Sequence, residues 1–235
     1  MLDWIFPRIC ALCGEPSGTA YSLCPACMDA LPRVEAPVCL HCGTPLPGAS
    51  AQAEMCAECS EYERTFDFAR STLSRSEEAR KLVIDLKYHG RNHLVPALAD
   101  LMAGTLQTDP LLRTTAWTLV PIPMTSGRMH RRGYNQSLLL AKSLGKRLGF
   151  GMAEPLVHLR DAMSQTALLK QERARHADTV YRVSPAYVAG RKTIPAHLLL
   201  IDDVFTTGAT ARACARQLRR LPDVRTVAVL TLMRA

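Results

Sequence analysis

Eight of the nine cysteines fall in the first 59 residues as four C-x-x-C pairs: Cys10/Cys13, Cys24/Cys27, Cys39/Cys42 and Cys56/Cys59. The gaps between pairs are 10, 11 and 13 residues. A C-x-x-C knuckle turns two sulfurs toward one point, and two knuckles complete a tetrahedral zinc shell. Eight thiolates therefore make two four-cysteine sites with no open position for chemistry, so both Zn2+ ions are expected to be structural. A disulfide framework would suit a secreted chain. The opening MLDWIFPRIC carries Asp3 and Arg8 and lacks a basic leader and a small-residue cleavage site, so it does not read as a signal peptide. Its Trp4, Ile5 and Phe6 are expected to pack onto the next module. Sequential pairing of the knuckles suits two stacked ribbons, and a cross-braced pairing satisfies the same spacing.

Metal changes the charge balance. The formal net charge is +8. Eight thiolates and two zinc ions add a net −4, which brings it to about +4. Residues 1–60 hold two Lys/Arg against six Asp/Glu, and residues 61–235 hold 27 against 15. The basic excess belongs to the larger part and favours anionic partners such as phosphates or nucleic acid. No apolar run approaches the ~18 residues of a membrane span, so no such span and a cytoplasmic location are expected.

The closely spaced cysteines stop at Cys59, which sets a boundary at 1–62 and 63–235. Beyond it, TFDFARSTL (65–73) reads as a strand and SRSEEARKLVIDLKYHG (74–90) as a helix. The helix has a capping box of Ser74 with Glu77 and an apolar stripe of Ala79, Leu82, Val83 and Leu86. A second helix covers about 92–107, with Leu94, Leu98, Leu101 and Met102 on one face. WTLVPIP (117–123) is a buried strand, followed by a basic loop and a helix over 137–148. LLLIDDV (198–204), a helix over 210–221 and TVAVLTLM (226–233) complete the chain. Strands and helices alternating at these intervals describe an α/β fold with a mostly parallel sheet.

The stretch LLLIDDVFTTGAT (198–210) sets two adjacent carboxylates, Asp202 and Asp203, at the end of a buried strand. Ligands of open α/β sheets bind beyond the carboxyl ends of strands. Thr206, Thr207, Gly208, Ala209 and Thr210 form a turn into a helix whose N–H groups and hydroxyls can cradle a phosphate. Two carboxylates just before it can accept from a ribose diol. One ligand carrying both a phosphate and vicinal hydroxyls reconciles the anion-binding loop with the anionic pair; the plainer alternative is a helix cap beside a solvated acidic turn.

LLLIDDVFTTGAT resembles the PRPP-binding motif of type I phosphoribosyltransferases. With LKYHGRNHLVPALA (86–99), LVPIPMTSGRMHRRGYNQSLLLA (119–141) and SQTALLKQERAR (164–175) behind a double zinc ribbon, the whole chain is similar to the ComF/GntX family. That family is associated with natural competence and DNA uptake and keeps a phosphoribosyltransferase fold. The resemblance implies that Asp202 and Asp203 hold the ribose hydroxyls of PRPP and assist catalysis, and that residues 206–210 hold the 5-phosphate. It implies a pyrophosphate loop after Pro123, with Arg128, Arg131 and Arg132 on the diphosphate together with Mg2+. It also implies a lid at 164–175 carrying Lys170, Arg173 and Arg175. The lid departs from the R-x-x-N pattern of many relatives: His176 and Asp178 stand where Asn is expected.

Two functions follow. One is Mg2+-dependent transfer of a phosphoribosyl group to an acceptor. The other is a non-catalytic, PRPP-sensing protein that binds single-stranded DNA and DNA-uptake or recombination proteins. A phosphatase with an aspartate nucleophile lacks the D-x-D spacing. Cys214 is expected to pack in a helix, and Arg212, Arg216, Arg219 and Arg220 to form a solvated face. His89, His93 and His130 carry no ligand role, and Tyr88 and Tyr134 stand near basic residues.

Overall fold

The computed structural model describes residues 8–46, 55–61, 63–159 and 180–235. The ribbons contribute α1 (Pro25–Ala30) and α2 (Ala57–Glu61). Then come β1 (Phe68–Leu73), α3 (Glu77–Tyr88), α4 (Val95–Thr108), β2 (Thr118–Pro121), α5 (Ser126–Arg132) and α6 (Gln136–Leu148). β3 (Leu156–His158), β4 (Tyr181–Val183), α7 (Pro185–Val188), β5 (His197–Phe205), α8 (Ala209–Leu218) and β6 (Thr226–Arg234) follow.

β1, β6, β5 and β2 lie side by side in that order, all parallel. β3 and β4 form a separate antiparallel pair. The apolar run of β5 is continuous because both faces of the sheet are covered. Leu199 and Ile201 join a core with Leu82 of α3, Leu98 of α4 and Leu140 of α6. Leu198 and Leu200 join Ala211, Cys214 and Leu218 of α8 on the other face. The expected stripes on α3 and α4 are all buried, and Cys214 is buried as expected.

The two ribbons lie against opposite faces. Cys10, Leu23 and Leu31 extend the first core, and Cys39, Cys42 and Cys59, with Phe66, extend the second. Residues 32–34 run antiparallel to the end of β1, where Val34 N–H donates to the Thr72 carbonyl (3.2 Å) and Ser74 N–H to that of Pro32 (2.9 Å). The second ribbon abuts β1 through Gly43. A Cβ at Gly43 would stand 2.6 Å from the Ala69 carbonyl oxygen, and its φ of 71° favours glycine as well. Next to it, Ala69 N–H donates to the His41 carbonyl (2.6 Å), and the His41 ring stacks on Phe66 at 4.4 Å.

Three expectations are corrected. The N-cap of α3 is Ser76, whose hydroxyl accepts from Ala79 N–H (3.1 Å), and Ser74 instead donates to the Arg33 carbonyl (3.0 Å). Glu77 is then the first helical residue, too early for a capping box. The basic segment after Pro123 is a helix, not a loop: Thr125 caps it through Arg128 N–H (3.1 Å) and Gly133 ends it at φ 80°. The arginines of the C-terminal helix are not one solvated face. Arg219 pairs with Asp67 at 2.5 Å and donates to the Arg225 carbonyl, and Arg212 and Arg216 are half-buried. Among the described residues, no helix is long and apolar enough to cross a membrane.

Candidate functional site

The cysteines gather as Cys10, Cys13, Cys24, Cys27 and as Cys39, Cys42, Cys56, Cys59, and within each set all sulfurs lie within 4.8 Å of one another. Zinc–sulfur bonds of about 2.3 Å in a tetrahedron put the sulfurs about 3.8 Å apart. Cys13 and Cys24 are 3.9 Å apart, and Cys42 and Cys56 3.6 Å. Pairing is therefore sequential, and the cross-braced alternative is excluded. Burial works against ionisation of Cys10, but backbone N–H groups at Cys13, Cys24 and Leu12 bring it down to about 6. Burial likewise opposes Cys42, whose Thr44 contacts and Arg234 bring it down to about 6. Cys27, next to the Cys24 sulfur, is pushed up to about 12. A divalent cation resolves this contest by stabilising all four thiolates together. The donor sets fit structural zinc, and every position is taken by sulfur.

The second site opens at the carboxyl ends of β2 and β5, as a cavity of about 770 Å3. Asp202 and Asp203 form its floor, one from each side of the pleat of β5. Arg128, Arg131 and Arg132 reach it from α5, and Thr206 and Thr210 from the turn into α8. Asp202 Oδ1 accepts from the Ser137 hydroxyl (2.8 Å) and from Asp203 N–H (2.9 Å). Asp203 Oδ1 meets the Lys87 ammonium at 2.9 Å, while Asp203 Oδ2 is buried without a hydrogen-bond partner among the described residues. Burial first, and then the Asp203 carboxylate, push Asp202 up to about 7.

Local structure holds this floor in place. Asn135 accepts from Ser137 N–H (2.9 Å) and Leu138 N–H (3.3 Å) as the N-cap of α6, and donates to the Ile122 carbonyl (3.0 Å). One residue thereby fixes the end of β2 to the start of α6 and aims Ser137 at Asp202. Gly208, the N-cap of α8, offers no side-chain cap, and Ala209 N–H lies 3.4 Å from the Thr207 hydroxyl. A Cβ at Gly208 would stand 2.7 Å from the Phe205 ring, and its φ is 75°. Over that ring lies the Arg234 guanidinium at 4.6 Å. Arg234 also donates to the Cys42 carbonyl (2.7 Å) and to Thr44, so the helix start and the second zinc site share a wall.

Of the residues singled out in the sequence, the two aspartates, three arginines, Thr206 and Thr210 meet in this one cavity. Thr207 faces instead a second cavity of about 660 Å3 between the turn and the second ribbon. Gly208 and Ala209 sit at the start of α8. Lys170, Arg173 and Arg175 lie outside the described residues. Lys87, Ser137, His158 and Tyr181 were not singled out, yet all line the cavity. Tyr181 is pushed up by burial and stacks edge-on with His158 at 5.1 Å. Lys87 follows the buried Leu86 at the last turn of α3, and Ser137 follows the capping Asn135; those placements were the available signals.

Residues 1–60 match the model of the double zinc ribbon domain. Over 221 residues, the chain is 29% identical to the DNA utilization protein YhgH of Salmonella typhimurium, covering 91% of this chain and 92% of that one. It is 25% identical over 219 residues to competence protein ComFC of Bacillus subtilis (91% and 84%). With competence protein F of Haemophilus influenzae it shares 26% over 218 residues (91% and 90%). The chain is a homologue of these DNA utilization and competence proteins, as the motif resemblance led one to expect.

Proposed function

We propose that the chain binds PRPP together with Mg2+, passes its phosphoribosyl group to an acceptor, and serves DNA uptake in competence. The observation that carries this reading is the convergence, in one 770 Å3 cavity, of two carboxylates, three guanidiniums and two threonine hydroxyls at a sheet's carboxyl edge. The units are 1–62, a double zinc ribbon, and 63–235, a phosphoribosyltransferase-like domain. Reduced thiols held as metal ligands accord with a cytoplasmic location.

In this reading Asp202 and Asp203 accept from the ribose hydroxyls, and the start of α8 with Thr206 and Thr210 receives the 5-phosphate. The bond from C1 to the diphosphate breaks with its electron pair leaving on oxygen, and the acceptor's lone pair forms the new bond to C1. Arg128, Arg131 and Arg132 stabilise the charge that gathers on the leaving group. Mg2+ supplies further neutralisation of the diphosphate oxygens.

A second reading keeps PRPP as a sensed ligand and adds single-stranded DNA. It is favoured by Tyr88, 70% exposed at the cavity rim with the Arg132 guanidinium 5.2 Å over its ring, a surface suited to stacking a base. Calorimetric titration with PRPP and Mg2+, beside an assay of pyrophosphate release with and without DNA, separates the two. Binding with sustained release supports the enzyme. Binding without release supports the sensor. Absence of binding removes both.

A further inference from the structure

Four basic side chains of α3 and the turn after it divide between two carboxylates. Lys81, His89 and Arg91 all converge on Asp85, at 3.0, 2.7 and 3.0 Å. Lys87 alone turns the other way, to Asp203 at the floor of the cavity, 2.9 Å from Oδ1. Its side chain is 21% exposed and that of Asp203 only 4%. The second oxygen of Asp203 is buried and has no hydrogen-bond partner among the described residues. One carboxylate thus has its charge neutralised from one side and a vacant acceptor on the other.

We propose that Lys87 is the resident cation of the ribose subsite: its ammonium takes the place of a divalent metal on Asp203 and leaves Oδ2 to accept a sugar hydroxyl. This rests on the PRPP reading and deepens it. A Mg2+ ion requires a near-octahedral shell of oxygens at about 2.0–2.1 Å and keeps several waters. An ammonium already in contact with Oδ1 fills the volume that shell would need. It is also a compact charge that cannot compete with a hydroxyl for an acceptor lone pair on the far oxygen. A neutral donor completes Asp203 without adding net charge. Mg2+ therefore enters only with the diphosphate, and the sugar-phosphate half of the ligand is recognised by the protein's own groups.

Ribose 5-phosphate, which carries the hydroxyls and the 5-phosphate but no diphosphate, is the probe. Calorimetric titration is run on the zinc-loaded full chain, in buffer without added divalent cation and in millimolar Mg2+. The parent is expected to bind equally in both. Lys87→Met is expected to lose about tenfold or more without metal, the loss of one charge-assisted contact, and to regain most of it with Mg2+. Lys87→Arg is expected to keep metal-independent binding. Parent binding that depends on Mg2+ overturns the proposal even if Lys87→Met does not fold. So does Lys87→Met binding as the parent does without metal. No ribose 5-phosphate binding under any condition overturns this proposal, while the PRPP reading falls only if PRPP itself fails to bind.

Discussion

Negative charge is concentrated at two kinds of centre in this molecule, and they are finished differently. At Cys39, Cys42, Cys56 and Cys59, four sulfurs lie within 4.8 Å of one another, all but Cys56 buried, with Arg234 donating to the Cys42 carbonyl. At Asp202 and Asp203, two carboxylates share one lysine and one serine, and a buried oxygen has no partner among the described residues. The first centre is closed by a metal and by protein; the second is closed only in part. A closed centre stabilises the fold, and an incomplete one keeps its capacity for a ligand.

The largest expected effect falls on the closed centre. Cys42→Ser should drop zinc from two ions per chain to one by metal analysis and lower stability by ~4–5 kcal/mol or more, since loss of a metal ranks among the most severe single changes. Cys13→Ser, at an exposed ligand of the first ribbon, should lose one zinc with a smaller fall in melting temperature. Equal destabilisation by both would break the link between burial of a zinc site and its contribution to the core.

Changes at the incomplete centre should spare the fold. Asp202→Asn/Asp203→Asn should keep both zincs while PRPP affinity falls on the order of a hundredfold, two charge-assisted contacts at roughly 1.5–3 kcal/mol each. Because Lys87 is left without its carboxylate, no rise in melting temperature is expected from the double variant. Unchanged affinity in calorimetry would mean that both centres are structural.

Arg234 connects the centres, so Arg234→Ala sharpens the comparison. Loss of its stacking on Phe205 and its donations beside Cys42 should cost ~2 kcal/mol in urea unfolding. Arg147→Ala, which removes an exposed pair with Asp100 near the first ribbon, should cost under about 1 kcal/mol.

One further effect depends on pH. Asp202 is protonated in the folded chain up to about 7, against an ordinary value of 3.8. In that window the folded state binds more protons than the unfolded state, so the contribution of Asp202 to stability is full below about pH 4 and is lost as pH rises through 7. Asp202→Asn should therefore match the parent near pH 4 and exceed it by roughly 1–2 kcal/mol near pH 8, after solvent screening. Parallel melting curves across that range would show that Asp202 is ionised throughout.

What was legible in the chain was what depends on local spacing. The C-x-x-C pairs gave the eight zinc ligands but not which pairs share a metal, and β5 with its aspartates and helix was readable from one thirteen-residue stretch. Cap geometry was misread where two serines competed: Ser74 and Ser76 both precede Glu77, and only the carbonyl of Arg33, 41 residues away, decides which one caps. The segment of α5 reads as a loop in sequence because its charges obscure the Thr125 cap and the Gly133 stop. Lys87 and Ser137 escaped because their significance lies in partners more than 60 residues distant along the chain, Asp203 and Asp202.

The strand order has a consequence for how the molecule is made. Within the parallel sheet β1 lies at the edge beside β6, and the hydroxyls of Ser71 and Thr231 that meet between them, 2.7 Å apart, are 160 residues apart in sequence. On the ribosome the ribbons and β1 emerge early and then wait, with an open strand edge, for β6 to be synthesised. Such distant pairing makes closure of the sheet a slow, late event. Zinc capture needs only residues 10–59, so it can come first and shorten that exposure by giving the nascent chain a folded end before its sheet exists.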